Sequence, residues 1–123
     1  MRPPTNSAAS ASAVPSARVR PEKFDSIRGA LESYGVQGLT VSQASGYGRQ
    51  RGHTEVYRGA EYTVDLLPKL RVEVLAANEW VSDIVDVLVS TANTGRAGDG
   101  KVWVTNVEEA LRVRTGERGD SAL

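Results

Sequence analysis

Two amphipathic stripes most constrain what this chain can fold into. The first places apolar side chains at spacings of three and four residues: Phe24, Ile27, Leu31 and Tyr34. The second does the same further along the chain: Trp80, Ile84, Val87 and Leu88. Such spacing puts apolar side chains on one side of a helix, which then has to be covered. The sequence therefore predicts helices over residues 22–34 and 79–92.

Short segments of alternating polarity lie around these helices, at residues 38–42, 69–75, 101–104 and 110–114. A period of two is typical of half-buried strands. One turn of helix is also predicted over 107–110, and about twenty residues from Gly46 to Asp65 show no period and are predicted to form a loop. The order of elements predicts an α+β fold, a ferredoxin-like split βαβ sandwich with a degraded or missing first strand.

The first twenty residues differ from the rest of the chain. Pro3, Pro4 and Pro15 interrupt a tract rich in alanine and serine, and no apolar period is visible. Such a segment has little surface to bury against the entropy of ordering. We therefore expect a disordered N-terminal tail over 1–20 and one domain over 21–123. An acid-free start containing arginine and serine is also typical of a transit peptide.

Composition excludes several kinds of function. Lys and Arg number 15, as do Asp and Glu, so no net positive charge favours binding to nucleic acid. The chain has no cysteine and one histidine, His53, which excludes zinc fingers and thiol nucleophiles and disfavours a Ser-His-Asp triad. We expect no direct nucleic-acid partner.

A glycine-rich stretch over 94–101 is the clearest candidate for anion binding. Glycines allow backbone amides to surround an anion, and Lys101 adds a positive charge at the end of the stretch. Gly95, Gly100 and Lys101 nearly fit a P-loop pattern, but Val102 replaces the hydroxyl residue. Phosphate binding and an ordinary connector both remain open from these residues alone.

Arg112 and Arg114 are expected to share one face of the strand predicted over 110–114. Two adjacent guanidinium groups repel unless an anion lies between them, so the pair strengthens the case for a polyphosphate site. A solvated strand face is the alternative. The tyrosines of the long loop, Tyr47, Tyr57 and Tyr62, suit partner docking or modification of a hydroxyl.

Three segments resemble signatures of the PII nitrogen-regulatory signal proteins, in the right order and spacing. They read GYGRQRGHTEVYRGAEY over 46–62, TGRAGDGK over 94–101 and RVRTGE over 112–117. The similarity runs from about residue 20 to the end. It implies a homotrimer of ferredoxin-like subunits with a long T-loop (about 47–66), a B-loop (about 93–101) and a C-terminal loop (about 112–123).

The resemblance also implies ligands and the residues that hold them. ATP or ADP would contact a set drawn from all three segments and two strands: Thr40, Gly46, Gly48, Arg49, Gln50, Glu73, Gly98, Asp99, Gly100, Lys101, Arg112 and Arg114. The implied 2-oxoglutarate residues are Gln50, Arg51, Gly52 and Lys69, with Gln50 also binding Mg²⁺ beside ATP. Tyr62 matches the tyrosine that receives a uridylyl or adenylyl group, and Tyr57 matches one modified less widely.

The implied function is regulation rather than catalysis. Such a protein senses nitrogen, carbon and energy status and controls ammonium transporters, nitrogen-assimilation enzymes and regulators through its T-loop, with a nucleotidyltransferase as a further partner. It would be cytoplasmic, recruited to the inner face of the membrane by the transporter. The family has an apolar strand before the basic-proline pair that matches Arg20 and Pro21, where this chain has Pro15 and Arg18. This departure raises the alternative of a homologue impaired in folding or trimerisation. The glycine-rich stretch and the arginines raise a second, a small phosphohydrolase, and a ferredoxin-like nucleic-acid module is a third.

Overall fold

The computed structural model of the chain describes residues 12–47, 54–57, 60–63 and 66–123. The two helices are α1 (Phe24–Tyr34) and α2 (Asn78–Ala92), as the apolar stripes predicted. The strands are β1 (Ser12–Val19), β2 (Thr40–Gly46), β3 (Thr54–Tyr57), β4 (Ala60–Thr63), β5 (Leu67–Glu73), β6 (Ala76–Ala77) and β7 (Gly100–Val107). Short 3₁₀ helices occupy Pro21–Lys23 and Gly119–Ala122.

The main sheet is antiparallel, with β1 at its centre. β1 pairs with β7 along one edge and with β5 and β6 along the other, and β2 pairs with the outer side of β5. The spatial order β2–β5–β1–β7, with the two helices leading into β2 and β7, is that of the ferredoxin-like split βαβ sandwich. The predicted α+β fold, a ferredoxin-like split βαβ sandwich, is confirmed, but the first strand, predicted to be degraded or missing, is present.

The predicted disordered tail is wrong for residues 12–19, because they form the central strand β1; residues 1–11 lie outside the described part of the chain. Pro15 lies inside this strand and lacks an N–H to donate. Its carbonyl accepts from the Val74 amide at 3.1 Å, and β5 and β6, which share one register against β1, are separated at this point. The proline thus removes one bond of the ladder without ending the strand.

The hydrophobic core lies between one face of this sheet and the two helices. Ala17, Val19 and Val72 point towards the helices and are at most 1% exposed. They meet the fully buried side chains that the helices contribute: Ile27, Leu31, Ile84 and Leu88. Small residues on β1 let the helices approach the sheet, so the strand is stabilised by burial although its sequence is poor in large apolar residues.

The predicted strands over 38–42, 69–75 and 101–104 correspond to β2, β5 and β7, whose bounds differ by a few residues. The prediction of an unstructured loop over 46–65 is wrong in part, because β3 and β4 pair as a two-stranded sheet. Among the described residues no helix is both long and apolar enough to cross a membrane.

The strand predicted over 110–114 and the helical turn over 107–110 do not form. The segment instead turns back on itself, with a single bridge between Leu111 and Arg118. Leu111 is 47% exposed and Val113 is fully exposed, so no strand among the described residues covers their apolar side chains. The alternation of polarity was therefore not a signal of burial here, and Arg112 and Arg114 do not share a strand face.

Candidate functional site

The connection between α2 and β7 is held in one shape by the carboxylate of Asp99. Its Oδ2 accepts from the amides of Thr94 (2.7 Å) and Gly95 (2.9 Å), and its Oδ1 accepts from the Thr94 hydroxyl and from Arg20 Nε at 3.1 Å. These donors, those of Thr94 above all, hold the pKa of the Asp99 carboxyl well below its usual range. The B-loop is therefore closed by a charged side chain inside it.

Two buried cations support the B-loop from the sheet. Arg20 is 8% exposed and donates from Nη2 to the Ala97 carbonyl at 2.6 Å, while Lys69 is 9% exposed and donates to the Gly98 carbonyl at 2.6 Å. Burial first, and the nearby Arg20 charge second, lower the pKa of the Lys69 ammonium. Because both cations bond to carbonyls, they turn these oxygens towards the sheet.

Gly98 and Gly100 adopt positive φ angles of 96° and 102°. At Gly100 the chain comes so close to β1 that a Cβ atom would lie 1.6 Å from the Arg18 carbonyl oxygen. Glycine is required at this position, and it places Lys101 directly at the mouth of the loop.

A cavity of about 460 Å³ opens beside the B-loop. Its lining comes from the ends of β1 and β2, the starts of β5 and β7, and the B-loop: Arg18, Gly46, Tyr47, Leu67, Lys69, Ala97, Gly98, Gly100, Lys101 and Trp103. Three of these residues are cationic and none is acidic. The described part of the site is therefore suited to an anion.

The structure brings five of the predicted ligand residues to this cavity: Gly46, Lys69, Gly98, Gly100 and Lys101. Asp99 does not line it, because its carboxylate bonds within the loop. The predicted residues Gly48, Arg49, Gln50, Arg51 and Gly52 lie outside the described residues, as does His53. Tyr62 pairs with Glu55, and Tyr57 pairs with Ala60, across β3 and β4.

Thr40 and Glu73 lie away from the cavity beside the B-loop. They are cross-strand partners on β2 and β5, and they line a second cavity of about 940 Å³ together with Trp80 and Leu123. Glu73 is four residues from Lys69 along β5, or about 13 Å at the rise of a strand. Within a single chain, the residues predicted to contact adenine and ribose are thus far from the B-loop.

Arg112 and Arg114 line neither of these cavities. Arg112 donates from Nη2 to a main-chain oxygen of Leu123 at 2.7 Å, and its Nε lies 3.8 Å from Glu117 Oε1. Arg114 is exposed. Within one chain the predicted arginines therefore do not meet the predicted phosphate loop.

Sequence reasoning missed the residues that shape the B-loop. The sequence places Arg20 at the end of the predicted tail and Thr94 in a glycine-rich connection, yet both bond to Asp99. An aspartate a few residues after a threonine in a glycine-rich stretch could have indicated such a turn, because backbone amides at the start of the stretch can donate to its carboxylate. Arg18 and Trp103, which also line the cavity, were not predicted as site residues.

The Asp99 bonds predict how stability depends on pH. Because folding lowers this pKa below its ordinary value of 3.8, the stabilisation is complete above that value and is lost as the pH falls towards the folded-state pKa. At pH 7 we expect Asp99→Asn to unfold at a lower urea concentration than the wild type, and the gap between them to narrow below pH 3.8. Urea denaturation from pH 7 to pH 3 measures this gap. Asp86→Asn, on the exposed side of α2, is the matched control, and a gap that stays constant with pH would contradict the role of Asp99.

The geometry defines a ferredoxin-like domain in which a glycine-rich loop and basic side chains line one cavity. Residues 16–117 match the family model described as "Nitrogen regulatory protein P-II", and the chain belongs to this family. A nitrogen regulatory protein P-II of Rhizobium meliloti is 52% identical over 105 residues, covering 85% of this chain and 94% of its own length. One of Haemophilus influenzae is 47% identical over 107 residues, covering 87% and 96%.

The fold is also found among solved structures. The crystal structure of Arabidopsis thaliana PII bound to citrate superimposes with a TM-score of 0.77 and 31% sequence identity, covering 93% of this chain and 94% of that one. The similarity thus extends over nearly the whole chain.

Proposed function

We propose that this protein is a signal protein that binds ATP or ADP and, together with Mg-ATP, 2-oxoglutarate. The observation that carries the proposal is the cavity beside the B-loop, which has three cationic residues, no acidic ones and a loop pre-shaped by Asp99. A triphosphate carries about four negative charges at neutral pH, so cations and backbone amides are the partners it needs. Membership of the P-II family and the citrate bound by the Arabidopsis relative support a small anionic ligand.

A homotrimer would complete this site. One chain holds Thr40 and Glu73 apart from the B-loop, and its Arg112 and Arg114 away from both cavities. If the cleft lies between subunits, the base and ribose would contact Thr40 and Glu73 on one chain, and the phosphates would contact the B-loop and the two arginines across the boundary. Gly46, Gly48 and Arg49 would form the base of the T-loop beside the nucleotide.

Magnesium would enter with the nucleotide rather than occupy a protein site of its own. Across the described ranges, no three acidic or histidine side chains are grouped to hold a metal ion. Mg²⁺ generally keeps water and phosphate ligands and needs few from protein, so the neutral oxygen of Gln50 is a sufficient partner. Gln50, Arg51, Gly52 and Lys69 would then hold 2-oxoglutarate next to it.

The output of this binding would be the position of the T-loop. A ligand shifts a conformational equilibrium only through contacts that differ between the states, and residues 49–52 would supply such contacts at one end of the loop. Through it the protein would control ammonium transporters and nitrogen-assimilation enzymes and regulators. Tyr62, and less widely Tyr57, would accept a nucleotidyl group from a transferase. The protein would act by binding, in the cytoplasm and at the inner membrane face when the transporter recruits it.

Calorimetric titration of 2-oxoglutarate into the purified protein, with and without Mg-ATP, tests the proposal. We expect heat of binding only when Mg-ATP is present, because the nucleotide and metal complete the 2-oxoglutarate site. The thermal melt of the same sample is the control for folding. Because β1 pairs on both sides at the centre of the sheet, we expect a cooperative transition, which would argue against an impaired homologue. A folded sample that binds neither adenine nucleotide would overturn the proposal.

A further inference from the structure

The face of the sheet that points away from the helices carries a row of basic side chains. In the strand register Arg18 of β1 is opposite Lys101 of β7 on one side and Arg71 of β5 on the other. The neighbours Ala17 and Val19 are buried against the helices, so Arg18 points to the opposite face. Like charges placed opposite each other on one face destabilise a sheet unless something neutralises them.

Arg71 is neutralised in part, and Arg18 is not. Arg71 Nη2 lies 3.4 Å from Glu73 Oε2, whereas neither Arg18 nor Lys101 forms an ion pair with any residue that the structure describes. Arg18 and Lys101 both line the cavity beside the B-loop, and Arg71 does not. The unneutralised pair therefore faces the place where an anion fits.

An aromatic ring orients Arg18. Its guanidinium carbon lies 5.7 Å from the centre of the Trp103 ring, and that of Arg71 lies 5.9 Å from the same ring. Ser16, the strand partner of Trp103, is only 2% exposed although it is on the open face. Stacking on an aromatic ring restricts a long side chain and leaves its N–H edge available to bind an anion.

We propose that Arg18 is a further anion-binding residue, which donates to phosphate oxygens of the polyphosphate that Lys101 and the B-loop hold. This inference rests on the proposed function of the same cavity and adds a residue to it. Arg18 would set the preference for longer polyphosphates, because a third cation next to Lys69 and Lys101 matches the larger charge. Trp103 would act as a positioning residue for Arg18.

The test compares Arg18→Gln with the wild type by calorimetric titration of inorganic tripolyphosphate and, separately, of ATP. Arg18 is exposed, so the substitution removes the charge without emptying the core. We expect the affinity for each probe to fall about tenfold or more, the range for a hydrogen bond between charged groups. The affinity should also depend less steeply on salt. Arg18→Lys, which keeps the charge but not the planar donors, should recover part of the affinity.

Arg28→Gln is the matched control, because Arg28 is an exposed arginine on α1 outside the cavity, and its affinities should equal those of the wild type. The inference is overturned if Arg18→Gln binds both probes within about twofold of the wild type, or if the wild type binds neither. Binding of tripolyphosphate but not ATP would remove the nucleotide function and leave the Arg18 comparison intact. Equal melting temperatures of the variants establish that the affinities compare folded proteins.

Discussion

Replacing Gly100 by alanine is expected to destabilise the fold by about 3 kcal/mol, because two costs coincide there. The residue has a φ of 102°, which an L side chain rarely adopts, and its new Cβ would lie 1.6 Å from the Arg18 carbonyl oxygen. That oxygen belongs to the backbone of the central strand and has no side-chain freedom by which to move away. The midpoint of urea denaturation measures the loss.

Gly95→Ala separates the two costs. Gly95 has a φ of 81°, also positive, but its Cβ would meet no atom within 4 Å. We therefore expect this variant to lose only about 1 kcal/mol, the cost of the backbone conformation alone. If both variants lost the same free energy of unfolding, the close approach of β7 to β1 would not be the reason for glycine at position 100.

The two helices could be predicted from the sequence because apolar residues recur at helical spacing along α1, which has eleven residues, and α2, which has fifteen. A period that long distinguishes one buried side of a helix from chance. The strand β1 could not be predicted in the same way. Its buried residues are Ser12, Ala13, Pro15, Ser16, Ala17 and Val19, of which only Val19 is a large apolar residue. Alanine, serine and proline in such a run are typical of a linker when the sequence does not show which elements pack beside them. The burial of β1 comes mainly from β5, β7 and α2, which are distant in sequence.

In the candidate site, too, local patterns could be predicted from the sequence and contacts between distant residues could not. Glycines and Lys101 could be predicted as an anion-binding stretch from their spacing alone, and five of the predicted ligand residues do line one cavity. The bond from Arg20 to Asp99 joins residues 79 positions apart, so no local pattern contains it. For Arg112 and Arg114 the local pattern predicted too much structure. Alternating polarity over 110–114 predicted a strand, but no neighbouring strand of the described chain pairs with this segment.

Lys69→Gln is expected to abolish most of the response to 2-oxoglutarate while preserving nucleotide binding. Lys69 is 9% exposed, and its ammonium would pair with a carboxylate of the ligand. Loss of one partner of such a buried pair lowers affinity about 100-fold. An amide N–H of glutamine can still donate to the Gly98 carbonyl, which Lys69 Nζ contacts at 2.6 Å, so the B-loop keeps a partner. We therefore expect the affinity for ATP to change less than about tenfold.

Two further lysine variants make this prediction specific. Lys101→Gln should lower the affinity for ATP, because Lys101 is at the mouth of the phosphate loop. The affinity for 2-oxoglutarate should fall as a consequence. Lys23→Gln, in the 3₁₀ helix before α1, should change neither affinity. Calorimetric titration of each variant with ATP and then with 2-oxoglutarate gives both constants. If Lys69→Gln lowered the affinities for ATP and 2-oxoglutarate by the same factor, Lys69 would act by shaping the B-loop and not by binding the carboxylate. The 2-oxoglutarate site would then involve other residues.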